Sequence, residues 1–237
     1  MKFFTLITAR PAEDKKQFQQ WFLKEHAPMV LERARGLQRY IVNLVDTEPP
    51  AVENMGFIAP QAPAPYDVIT EMWFGSPGDF KNRISLYGSA PAADTVGQHL
   101  AAKAAAVFSY RVTEIVEKDE AQRIAGQRTA GIKCVIPLYW KPDLSVDEGR
   151  NGWQVHGTIA LRTHVGMSKY VRNLVEEVLT EAAPAYTGIG ELHFASLDDM
   201  RYRLMPTPHS LEVIAFDTAR WLGPVEQHYC SEWVLKA

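Results

Sequence analysis

Three chemically useful residues recur at one fixed spacing. His26, Tyr40 and Asn43 return as His156, Tyr170 and Asn173, each 130 residues further along the chain. An imidazole can gain or lose a proton near neutral pH, a phenol can donate to an oxygen that gains negative charge, and an amide can fix a ring's orientation. Together they are the parts of an acid/base centre for a small carbonyl compound. His26 would move the proton, Tyr40 would stabilise the enolate or phenolate, and Asn43 would orient the imidazole. Phe22, Trp73, Trp140, His156, Tyr170 and His193 are the candidate binding residues, rings suited to walling an aromatic cavity. Each has a plainer reading as well: a core histidine bonded to a carbonyl, an amide serving a loop, rings that only pack.

The same spacing organises the chain. HAPMVLERARGLQRYIVNLV, from His26, aligns without a gap to HGTIALRTHVGMSKYVRNLV, from His156. Further on the offset falls to 120, pairing Glu71, Phe74 and Ser76 with Glu191, Phe194 and Ser196. The first copy therefore carries ten extra residues between Asn43 and Glu71. Alternating and 3.6-residue hydrophobic periods predict strand, helix, strand, strand, helix, strand in each copy. The strands of copy one are expected near 3–8, 37–45, 66–74 and 108–117, with a first helix over 13–27. Domains are expected at 1–118 and 132–237, with 119–131 as linker. Two βαββαβ units of this kind are an α+β, ferredoxin-like design whose antiparallel sheets each have one bare face. Packing the bare faces together gives one α/β barrel closed within a single polypeptide, with any further dimer using helices or outer edges. Strand alternation puts Asn43 on the face opposite Tyr40. If Asn43 meets the helix, Tyr40 and Tyr170 face the barrel interior.

Helical spacing places His26 on the apolar face with Phe18 and Phe22, near the expected helix C-terminus. There the dipole should favour imidazolium and hold its pKa near working pH. Residues 48–65, with five prolines and one glycine, read as a long loop, either a lid over the first pocket or a surface excursion.

With 237 residues, 46% of them hydrophobic, the chain can bury a real core, and its net charge of −3 gives no basic field for nucleic acid. Cys134 and Cys230 have no CxxC spacing, which suggests neither zinc nor a disulfide framework and makes a reducing cytoplasm the simplest setting. The N-terminus lacks an h-region of adequate length for a signal peptide, and no run approaches a membrane span. There is no metal-ligand spacing, nucleophile elbow or phosphate loop, and Gly188-Ile189-Gly190 lacks the last glycine of a dinucleotide fingerprint. No cofactor and no metal are therefore expected.

Trp21-Phe22-Leu23-Lys24-Glu25-His26-Ala27-Pro28-Met29 resembles the aromatic-xxx-His-x-Pro-hydrophobic signature of EthD-like proteins of the dimeric α/β-barrel superfamily. The Gly36-Leu37 to Asn43 run extends the resemblance, which as a tandem pair covers nearly the whole chain. In the second copy Trp153 lies three residues before its histidine instead of four, and Gly157 and Thr158 replace Ala27 and Pro28. Gly149, Gly152 and Gly157 are also expected to weaken that helix. Relatives include decarboxylases and dehydratases, and other branches of the superfamily bind haem or act as cofactor-independent monooxygenases or cyclases, so the resemblance does not choose a reaction. With His26 and Tyr40 the leading expectation is a cofactor-independent lyase or isomerase acting on an aromatic or polyketide-like carbonyl compound. A non-catalytic binding protein for such a compound and a haem protein are the alternatives.

Overall fold

The computed structural model describes residues 1–46, 65–76, 78–79 and 95–237. Strand β1 (Lys2–Ala9) leads into α1 (Lys15–Trp21), where Asp14 caps the helix by accepting the Gln17 amide proton. The helix does not stop near Ala27. It passes through a π-helical turn (Phe22–His26) into α2 (Ala27–Arg33). Gly36, at φ +74°, then turns the chain into β2 (Leu37–Val45), a conformation that a residue with a Cβ adopts only under strain. β3 (Val68–Phe74), α3 (Thr95–Ala101) and β4 (Ala104–Asp119) complete the first unit. All but Pro65 of the candidate lid at 48–65 lies outside the described residues.

A two-residue strand, β5 (Gln127–Arg128), occupies part of the expected linker. The second unit runs β6 (Ile132–Trp140), α4 (Val146–Thr163), β7 (Met167–Val178), β8 (Gly188–Phe194), α5 (Leu197–Arg203), α6 (Pro208–Thr218), β9 (Leu222–Val225) and β10 (His228–Lys236).

Within the units the strand orders are β4-β1-β3-β2 and β10-β6-β8-β7, the ferredoxin-like arrangement. Two strands then bridge the sheets. β4, at 16 residues, pairs with β1 through its first part and with β7 through its second. β10 pairs with β6 through His228–Cys230 and with β2 through Cys230–Lys236. The result is a closed antiparallel barrel within one chain, with helices outside, so the edges that would otherwise be unpaired are satisfied internally.

The faces are opposite to one expectation. Ile69, Phe4, Leu6, Val45, Tyr110, Tyr186 and Ile189 from both units form the barrel core, and Asn43 lies on this inward side, bonded to Glu71. Tyr40 packs with Phe22, Phe18 and Val42 beneath α1 and α2, and Tyr170 packs with Ala160 and Ile214 beneath α4 and α6. Asn43 therefore does not orient His26, and neither tyrosine faces the barrel interior.

The glycines of α4 also act differently from expectation. Ser145 and Glu148 form a reciprocal capping box, and the helix is continuous for 18 residues. A Cβ at Gly149 would stand 2.3 Å from the Trp140 ring, and one at Gly152 would stand 2.5 Å from Trp221. Missing side chains let the helix lie directly on the indoles, and this packing offsets the cost in propensity. The same contact recurs in β8, where a Cβ at Gly188 would stand 2.3 Å from the Trp153 ring. Gly188→Ala should therefore lower stability by about 1–3 kcal/mol through overpacking. Gly190→Ala, whose nearest neighbours are 3.7 Å away, is the control. Urea denaturation of the two variants should separate them clearly.

Candidate active site

A largely enclosed, apolar cavity of about 80 Å³ lies between the second sheet and its helices. Ile136, Leu192, Leu204, Met205 and Ile214 supply apolar wall, and His156, His164, Tyr170 and Thr218 supply the polar atoms. It is smaller than the ~150 Å³ cavity that takes up benzene in an engineered core. A ring enters only if wall side chains shift, and flexible Met205 is suited to that.

His156 projects from α4 toward α6, where its Nδ1 lies 2.7 Å from Oδ2 of Asp217. A carboxylate accepts, so Nδ1 carries the proton, and in the neutral imidazole Nε2 keeps the lone pair. Tyr170 stands edge-on to the imidazole, with ring centroids 6.5 Å apart. Its oxygen accepts from Trp153 Nε1–H at 3.2 Å, which leaves the phenol proton for another partner. Burial pushes the Tyr170 pKa far up, so the group is a donor and not a base.

In the first unit His26 is fully buried between Trp21 and Phe22, and its Nδ1 is 3.4 Å from Nδ1 of His99. It sits inside a continuing helix, so no C-terminal dipole acts on it. Burial first, and the nearby His99 second, lower its pKa to about 3. At neutral pH this imidazole is uncharged and a weak base, contrary to the value near working pH expected from its sequence position.

The barrel interior holds a different chemistry. Lys2 binds Glu114 and Glu71 at 2.9 Å each and also Glu191. Lys133 binds Glu232 at 2.7 Å, Glu191 at 3.0 Å and also Glu71. Asn43 donates to Glu71 at 2.9 Å and Asn173 to Glu191 at 3.0 Å, while Lys169 adds a further contact to Glu191 at 2.9 Å. Burial opposes ionisation of Glu71 and Glu191, but the surrounding lysines prevail and hold both carboxyls below their ordinary pKa. This lattice ties each unit's lysine to the other unit's glutamate.

The candidate residues thus fall into four places. His156 and Tyr170 share the cavity. Phe22, His26 and Tyr40 lie in the helix–sheet layer of the first unit. Asn43, Trp73 and His193 belong to the ionic end of the barrel: Trp73 donates to Glu114 at 3.1 Å beneath Lys2, and His193 meets Ser168 at 3.1 Å, its pKa lowered to about 4 chiefly by burial. Trp140 packs on Gly149 outside the cavity. Sequence reasoning missed Asp217, His164 and the lysine–glutamate lattice. A charged residue inside an apolar strand, as in Val68-Ile69-Thr70-Glu71-Met72-Trp73-Phe74, was the available signal for the lattice. Among the described residues no three His, Cys, Asp or Glu side chains converge as a metal site, and no helix is long and apolar enough to cross a membrane.

Residues 10–96 match the EthD domain. The EthD segment contains His26, Tyr40, Asn43 and Trp73. Three solved structures resemble the whole chain at low identity. An anthrone oxidase-like protein has a TM-score of 0.62 at 9% identity, covering 100% of this chain and 93% of that one. A putative monooxygenase from Lactobacillus acidophilus NCFM gives 0.56 at 11% identity, with 100% and 96% coverage. A putative monooxygenase from Fusobacterium nucleatum gives 0.56 at 8%, with 99% and 91% coverage. These likenesses show the fold alone, an α+β chain closed into an antiparallel barrel. No curated protein matches the chain.

Proposed function

We propose that the protein is a cofactor-independent lyase or isomerase that moves a proton on a small aromatic carbonyl compound, and that its working site is the cavity of the second unit. The observation that carries this reading is the His156–Asp217 pair beside the Tyr170 phenol on one enclosed apolar cavity. His156 Nε2 takes a proton from a hydroxyl of the compound, and Asp217 stabilises the resulting imidazolium. Tyr170 donates to the oxygen where charge develops, with Trp153 fixing the phenol's direction. The apolar wall strengthens both interactions by excluding water. The fold's occurrence in proteins described as monooxygenases and as anthrone oxidase-like supports small-molecule chemistry. A haem macrocycle is far larger than this cavity, so a haem reading would need a different site.

The same reading includes duplication: residues 1–118 and 132–237 would be two EthD-like units, on the strength of the 130-residue recurrence of His, Tyr and Asn. The second unit would then keep the base, and the first a neutral, buried counterpart.

A ligand retained by the purified protein, identified by native mass spectrometry, supplies the compound to assay. His156→Gln should then bind it with near-normal affinity while turnover falls ~100-fold or more. Equal turnover in wild type and variant would remove His156 from the chemistry, and no turnover of the retained compound by wild type would leave the non-catalytic binding protein as the correct reading.

A further inference from the structure

His164, where α4 ends, lines the same cavity eight residues after His156. Its Nδ1 lies 2.7 Å from the Leu204 carbonyl oxygen. A carbonyl can only accept, so Nδ1 bears the proton and Nε2 the lone pair. Burial lowers the His164 pKa to about 4, against the hydrogen bond to Leu204, and the ring is neutral at pH 7. His156 has the same tautomer, because Asp217 accepts from its Nδ1. An indole N–H can only donate, so the Tyr170 oxygen is the acceptor in its bond to Trp153 and the phenol proton remains available.

The polar inventory of the cavity is therefore two imidazole lone pairs, one phenol O–H and the hydroxyl oxygen of Thr218, whose proton goes to the Ile214 carbonyl at 2.8 Å, set among apolar walls. A ligand without donors would desolvate both nitrogens and leave them unpaired, a loss larger than the apolar contact of one methyl group can offset. We infer that His164 is a specificity-determining residue and that the ligand is a small ring compound with two hydroxyl donors, one for each imidazole, and an oxygen acceptor for Tyr170. The inference rests on the cavity being the ligand site. Between the histidines the tasks divide: His156, backed by a carboxylate, can hold a proton, whereas His164, backed only by a carbonyl, holds a hydroxyl in place.

Calorimetric titration of phenol, resorcinol, hydroquinone and 1,3-dimethoxybenzene into wild type, His164→Phe and His164→Asn tests this. One of the two diols should bind wild type ~10-fold tighter than phenol, the factor of a hydrogen bond worth about 1.4 kcal/mol. The dimethoxy compound should bind weakest. In His164→Phe the diol preference should vanish while phenol affinity stays within about twofold. The imidazole ¹⁵N spectrum of wild type needs no variant to fold: the His164 Nε2 resonance should shift with the preferred diol and much less with phenol. Binding with no diol preference, a preference that survives in His164→Phe, or an unmoved His164 resonance overturns the assignment while leaving the cavity as the site. Failure of every ring compound to bind overturns both readings.

Discussion

Lys133→Met should destabilise the protein by about 3–5 kcal/mol, the usual effect of removing one partner from a buried ionic group. Lys133 is fully buried and faces Glu71, Glu191 and Glu232. Methionine matches its length and would pack, so the loss isolates charge from volume. Three carboxylates would then depend mainly on Lys2, Lys169 and Arg123. Adding Glu232→Gln should recover part of the loss, because one carboxylate no longer needs compensation. Urea midpoints measure all three proteins. A single variant within 1 kcal/mol of wild type would show that the lattice is not what joins the units. The expectation concerns truncation only; a full apolar replacement of the lattice could be neutral.

The second large effect is in pH. His26, His164 and His193 have pKa values lowered from 6.5 to about 3, 4 and 4, each chiefly by burial. Between pH 6.5 and those values the unfolded chain takes up protons that the folded chain refuses. The stability these histidines contribute is therefore complete above pH 6.5 and is lost as pH falls through the folded values. Each group gives a slope of ~1.4 kcal/mol per pH unit, so together they approach ~4 kcal/mol per unit below pH 6. Glu71 and Glu191, lowered in the fold, add a second loss only when pH drops below their ordinary value of 4.5. Denaturant titrations at pH 7.5, 6.5, 5.5 and 5.0 should show stability flat at the top and steeply falling afterwards. A level profile down to pH 5 would mean that these histidines accept protons in the folded state.

Local pattern determined a good deal. β2 falls at Leu37–Val45, as alternation requires, and β6 starts at Ile132. Gly36 turns the chain where a positive φ is needed. The 130-residue recurrence foretold two sheets and an internally closed barrel, since each sheet had a bare apolar face and each face a counterpart.

Tertiary structure decided the rest. Period-two alternation separates Tyr40 from Asn43 but is blind to which face meets a helix, and the choice fell opposite to expectation. The pKa of His26 depended on depth and on His99, 73 residues away, which no helix-end argument contains. Asp217 reaches His156 across 61 residues because α4 and α6 pack side by side. Gly149 reads as a helix weakness until the Trp140 ring is seen resting on it. Sequence spacing fixes which residues share a face of one element, because backbone geometry is local. Which faces meet, and so which groups lose water and which find a charge, is set only when the sheets and helices pack together.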